Sequence, residues 1–117
     1  MSESDARPMG PTGAAVPAGA SVRVLHGFYE GLELPVDRDW FVIGRGRGAD
    51  AVVPEATISR AHAAIGWQPA AGFYVQDLGS TNGTIVNGTR ETKVAVSDGD
   101  EVRMGKLALR LQLPVGR

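Results

Sequence analysis

Three short stretches of this 117-residue chain hold side chains suited to binding a compact anion. Gly44-Arg45-Gly46-Arg47-Gly48 carries two guanidinium forks on a glycine-rich backbone, and Ser59-Arg60-Ala61-His62 adds a hydroxyl, a third guanidinium and an imidazole. Gly79-Ser80-Thr81-Asn82-Gly83-Thr84 adds hydroxyls, a side-chain amide and exposed backbone N–H groups. Arginine presents its donors in a rigid fork that matches two phosphate oxygens, and turns rich in backbone N–H groups form concavities for anions. Any one stretch alone reads better as a plain turn, because Gly, Ser, Thr and Asn are turn formers. Their combination points to a phosphate site.

Other chemistries fit less well. Gly44-x-Gly46-x-x-Ala49 has the outline of a dinucleotide-binding turn, but that motif needs a helix next, and Asp50-Ala51-Val52-Val53-Pro54 reads as strand and break. Ser59 and His62 could be nucleophile and base, yet no carboxylate stands at a spacing that would orient the histidine. Asp77, Asp98, Asp100 and Glu101 could suggest a cation site, but Asp98-Gly99-Asp100 is an ordinary turn. Asn82-Gly83-Thr84 and Asn87-Gly88-Thr89 fit the glycosylation sequon and are read as turns. No metal, no cofactor and no enzymatic activity is assigned.

The scaffold that must position these stretches reads as all-β. From Ser21 onward, short apolar runs are broken by Gly, Pro, Asn and Asp about every eight to twelve residues, the pattern of a sandwich or barrel. The clearest strand is Leu107-Ala108-Leu109-Arg110-Leu111-Gln112-Leu113, whose leucines recur at period two and must face a core. Val22–Val24, Leu32–Leu34, Phe41–Ile43, Ala51–Val53, Ala63–Ile65, Phe73–Val75 and Glu101–Met104 are further predicted strands. Asn87-Gly88 suits a type I′ hairpin between Thr84-Ile85-Val86 and the strand after it. Trp40 and Trp67 are expected in core or sheet-edge positions. Two packed sheets are the expected architecture.

Composition narrows the function classes. Twelve Lys and Arg against thirteen Asp and Glu give a net charge of -1, far from the basic balance that coating a nucleic-acid backbone requires. The absence of cysteine removes disulfides, thiolate catalysis and Cys-type metal sites. No apolar stretch approaches the roughly 18 residues of a membrane span, and Glu3, Asp5 and Arg7 with scattered Pro and Gly do not form a signal peptide, so the protein is read as cytoplasmic. Ten arginines against two lysines suggest a GC-rich bacterial genome. The length fits one domain and a tail. Residues 1–20, with Pro8, Pro11 and Pro17 and no aromatic residue, cannot offset their ordering entropy and are expected to be a disordered tail. Residues 21–114 form the domain and 115–117 its end, which follows the last strand directly and is compatible with a domain cut from a longer chain.

The series Gly44-Arg45, Ser59-x-x-His62, Leu78-Gly79-Ser80-Thr81-Asn82-Gly83-Thr84 and Asn87-Gly88 resembles the forkhead-associated (FHA) domain over about residues 22 to 113. All four blocks stand in family order. The resemblance implies a β-sandwich of about eleven strands whose loops at one end bind phosphothreonine in a partner protein, preferring it to phosphoserine, without catalysis. It implies that Arg45 is the main phosphate contact, that Ser59 gives its hydroxyl to another oxygen, and that Arg60 supplies a backbone N–H and side-chain charge. Thr81 would face the phosphate or the threonine, and Asn82 would bond the peptide main chain. His62 would join the Ser59 loop to the Asn82 loop, with Gly44 and Gly83 serving geometry.

The implied role is an adaptor in Ser/Thr kinase signalling, its partner a protein phosphorylated on threonine. The alternative is a phosphate-independent scaffold that holds its partner through the sandwich surface. Arg47 lies beside the site without being specified by the shared motif; it would either select an acidic flank or be solvated. Thr12 is the tail's only threonine. Phosphorylated, it would let the tail fold back into its own site at high effective concentration; unmodified, the tail is a linker. Phosphorylation of Thr57, close to Ser59, would block the site by repulsion.

Overall fold

The computed structural model describes residues 11–114. Because successive strand side chains point to opposite faces, the period-two apolar runs each turn one face inward. Val22 and Val24 of β1 (Ser21–Val24), Phe41 and Ile43 of β3 (Trp40–Gly44), Ile65 of β5 (Ala63–Gln68) and Val75 of β6 (Gly72–Asp77) are buried, as are Val102 and Met104 of β10 (Glu101–Met104) and the leucines of β11 (Leu107–Gln112). Each such side chain contributes about 1.5–3 kcal/mol by leaving water. With β2 (Glu33–Pro35), β4 (Ala51–Val52), β7 (Thr84–Val86), β8 (Thr89–Arg90) and β9 (Lys93–Ala95), they build two sheets around one core. The six-stranded sheet has the order β2-β1-β11-β10-β7-β8 and the five-stranded sheet the order β4-β3-β5-β6-β9. This is the eleven-stranded sandwich that the resemblance implies. No helix forms among the described residues, so none there is long and apolar enough to cross a membrane.

Details depart from the sequence reading at the edges. The expected strand Leu32–Leu34 is Glu33–Pro35, leaving Leu32 exposed. β9 was not foreseen, because an edge strand with a single half-buried apolar residue, Val94, carries no alternation. The Asn87-Gly88 turn joins β7 to β8 with positive φ at both residues, 49° and 88°, as a type I′ hairpin requires. Trp67 packs against the core, and Trp40 stacks obliquely on Tyr74.

Of the segment read as a tail, residues 1–10 lie outside the described residues, and residues 11–20 carry no strand. The latter form an arm tied to the sandwich: the Thr12 amide and hydroxyl and the Ala14 amide all donate to Oδ2 of buried Asp39, and Val16 packs on the core. The Thr12 hydroxyl bond, outweighing the effect of burial, holds the Asp39 carboxyl below the usual carboxylate range.

The strand directions decide where the chemistry-bearing loops go. β3 runs from Trp40 to Gly44, and antiparallel β5 starts beside its far end, with Ala63 opposite Ile43. β6 returns to that end, with Asp77 opposite Ala63, and Met104 of β10 lies opposite Thr84, the first residue of β7. Loops 45–50, 53–62 and 78–83 and the turn 105–106 therefore gather at one end of the sandwich, with Asp39 and Thr12 at the other.

Candidate anion-binding site

Gly44 ends β3 pressed against the next loop. A Cβ there would stand 1.9 Å from the Arg60 carbonyl oxygen, so only glycine fits. That approach allows the Arg45 amide to donate to the Ser59 carbonyl at 2.9 Å and the Gly46 amide to the Arg60 carbonyl at 3.0 Å. The Arg45 side chain is itself anchored, its Nε donating to the carbonyl of buried Ile58 at 3.0 Å. Both terminal nitrogens of the fork are left without a partner among the described residues. Immobilising the stem in advance lowers the entropy lost when the fork engages a ligand.

His62, fully buried, joins the second loop to the third. The Ser59 amide donates to its Nδ1 at 3.0 Å, which places the ring proton on Nε2, and Nε2–H donates to the Gly83 carbonyl at 2.8 Å. The Thr81 amide donates to Ser59 Oγ at 3.2 Å, leaving the Ser59 hydroxyl hydrogen for another acceptor. Asn82 Nδ2 donates to the Thr57 carbonyl at 2.8 Å, so its Oδ1 and second N–H stay open. Thr57 in turn donates its hydroxyl to Glu55 and accepts from the Lys106 amide at 2.8 Å, tying in the β10–β11 turn. The Thr57 hydroxyl holds the Glu55 carboxyl below its usual range.

Sequence reasoning missed the organiser of the third loop. Asp77, weighed only as a cation ligand, accepts from the Gly79 and Ser80 amides and from the Ser80 and Thr84 hydroxyls. Burial alone would raise its carboxyl; the hydrogen bonds from Ser80 and Thr84 and from the two amides outweigh that and hold it below the usual range. The signal was available: an Asp at a strand end with Gly-Ser-Thr beginning two residues on, as in Asp77-Leu78-Gly79-Ser80-Thr81, is the arrangement that caps its own turn. Thr57, considered only for modification, proves to be a brace between loops.

The structure thus brings Arg45, Ser59, Arg60, Thr81 and Asn82 to one end, with Gly44, His62 and Gly83 beneath them. Arg45, Arg60, Thr81 and Asn82 are exposed and Ser59 is half-buried. The basic residues here are unneutralised. Arg23, Arg38 and Arg110 are paired with Glu33, with Asp37 and Asp50, and with Glu101, whereas Arg45, Arg47 and Arg60, like Arg90 and Arg103 elsewhere, make no ion pair among the described residues. Thr12 is remote from this cluster, at the opposite end on Asp39.

A two-sheet sandwich that concentrates free guanidinium, hydroxyl and amide donors on loops at one end defines a class, a binding module for an anionic group. The sequence model of the FHA domain family matches residues 41–105. The chain belongs to that family. It is 38% identical over 94 residues to the oxoglutarate dehydrogenase inhibitor of Corynebacterium diphtheriae, a match that covers 80% of this chain and 65% of that protein. Among solved structures it is similar, with a TM-score of 0.74 and 28% identity over 82% of this chain and 97% of the other, to one described for phosphothreonine-dependent FHA domain interactions. Mycobacterium tuberculosis EmbR in complex with a low-affinity phosphopeptide gives a TM-score of 0.74 and 29% identity over 86% of this chain and 26% of EmbR.

Proposed function

We propose that this chain is a non-catalytic phosphothreonine-peptide reader acting as an adaptor in Ser/Thr kinase signalling. The observation that carries the reading is Arg45, anchored through Nε on Ile58 with both terminal nitrogens free, on a loop hydrogen-bonded directly to Ser59. Phosphothreonine brings about -1.5 to -2 charge and three acceptor oxygens. In this reading the Arg45 fork takes two oxygens, the Ser59 hydroxyl and Arg60 amide meet the remaining acceptor positions, and Thr81 lines the phosphothreonine. Asn82, held on Thr57, uses its open amide atoms on the peptide main chain, so that the site reads a peptide and not free phosphate. Its name makes the corynebacterial relative a guide to partners: an oxoglutarate dehydrogenase is the first protein to test.

The test is titration with an oriented peptide library in phosphothreonine, phosphoserine and unphosphorylated forms. Binding is expected for the phosphothreonine form, and Arg45→Ala should lose about 2–5 kcal/mol, roughly 30-fold to several thousand-fold. Ser59→Ala should lose about 1.5–3 kcal/mol. Arg45→Ala binding within threefold of the native protein would remove Arg45 from the site, and equal binding of the unphosphorylated library would favour a phosphate-independent scaffold.

A further inference from the structure

Two neighbouring rows of side chains on the outer face of the six-stranded sheet treat charge differently. Residues opposite one another in antiparallel strands share a face. In the first row Arg23 of β1 stands opposite Glu33 of β2 and Arg110 of β11, and Arg110 stands opposite Glu101 of β10. That row neutralises itself through the Arg23–Glu33 and Arg110–Glu101 ion pairs. The second row, two residues nearer the anion-site loops, holds Ala108 of β11, Arg103 of β10, Ile85 of β7 and Arg90 of β8, each opposite the next. Leu25 extends it past the end of β1, its amide donating to the Ala108 carbonyl at 2.9 Å. This row holds no acid, and its two arginines, both exposed, make no ion pair among the described residues. Arg90 lays its guanidinium over Gly83, where an added Cβ would stand 2.5 Å from its Nε, and Arg103 borders a depression of about 170 Å³ that Ile85 and Ala108 also line.

We propose that this second row docks an acidic amphipathic helix of a partner protein, apart from the anion site of the loops. Spacing selects the helix. Arg103 and Arg90 stand on β10 and β8 with β7 between them, so at about 4.8 Å per strand their Cα atoms are about 9.5 Å apart. Helix residues seven apart lie on one face about 10.5 Å from each other, and one turn advances about 5.4 Å. A helix laid across the strands therefore sets an acid at position i on Arg103, an apolar residue at i+3 or i+4 on Ile85 and a second acid at i+7 on Arg90. An apolar residue at i−4 then covers Ala108 and Leu25. An extended segment does not match, because its side chains on one face recur at about 6.6 and 13 Å. Each ion pair at this solvated face is weak alone, so docking needs both arginines and the apolar contacts between them.

The test titrates the isotope-labelled chain, followed by amide NMR, with a stapled helical peptide carrying Glu at i and i+7 and Leu at i−4 and i+3. Its controls are the same helix with Lys at both acid positions, an unstapled peptide of the same composition with its acids two residues apart, and phosphatidylglycerol vesicles. The Glu helix should shift the amides of Leu25, Ile85, Arg90, Arg103 and Ala108, leave those of Arg45 and Ser59 in place, and bind Arg45→Ala unchanged. Joint replacement Arg103→Glu and Arg90→Glu should weaken the Glu helix about three- to tenfold and transfer binding to the Lys helix. An equal response to the extended peptide, a response only to the vesicles, or none at the row overturns the proposal. So do shifts that vanish in Arg45→Ala, which would place the acids on the loops. Phosphothreonine dependence is not read by this experiment, so failure here and failure of the phosphopeptide reading stay distinct.

Discussion

Replacing His62 tests how the site is held together. The ring is 0% exposed and serves two backbone groups from different loops, the Ser59 amide and the Gly83 carbonyl. In His62→Ala both lose their partner, the Gly83 carbonyl in the interior and the Ser59 amide at its half-buried edge. Each stranded group costs about 1–3 kcal/mol, and the emptied ring volume adds a cavity contribution, so the loss should be about 3–5 kcal/mol. That is a large share of the roughly 5–15 kcal/mol that holds a domain of this size folded. Two partial replacements separate the bonds. An Asn carbonyl oxygen falls near Nδ1 and can keep the Ser59 bond, and a Gln amide reaches the Nε2 position and can keep the Gly83 bond. Each should lose about 1–3 kcal/mol. Urea unfolding followed by tryptophan fluorescence, with the denaturant slope checked for constancy, measures all three. Because Ser59 and Asn82 flank the two bonded groups, phosphopeptide affinity should fall in the Asn and Gln variants under conditions where both remain folded. A His62→Ala loss below about 1 kcal/mol would refute the reasoning, since buried polar groups cannot lose their partners that cheaply.

Gly44→Ala should destabilise the domain by about 1–3 kcal/mol or more, because the added methyl meets main chain that cannot rotate away; the Arg45 and Gly46 amides should exchange faster with solvent, and unchanged exchange would contradict the close approach. Asp77 titrates below the usual carboxylate range when folded, so the stability it contributes is present above about pH 5 and is lost as pH falls through about 4 and lower. Asp77→Asn should accordingly be less stable at neutral pH, and its stability should decline less steeply on the acid side; parallel pH profiles for the two proteins would show that Asp77 is not the group responsible.

The apolar periodicity of β11 and the short broken runs before it were enough to establish an all-β sandwich, because burying one face of a strand needs only that every second residue be apolar. The Asn87-Gly88 hairpin was legible for an equally local reason, since few residue pairs accept two successive positive φ values. Arg45, Ser59 and Asn82 could be singled out by donor chemistry and by family likeness. β9 could not, since edge pairing depends on backbone hydrogen bonds to β6 and leaves almost no mark on side-chain pattern.

What only the tertiary structure decided is which groups are already spent and which remain free. Sequence gives Thr57 as a hydroxyl and Arg90 as a cation, with nothing to say that the first braces two loops or that the second rests on Gly83. Those contacts join residues between 7 and 49 positions apart, and they form only because the antiparallel order of β3, β5, β6, β7 and β10 brings four connections to one end. A side chain's type is local information, whereas its partners are set by chain path, and it is the partners that leave Arg45 and Arg90 with donors to offer.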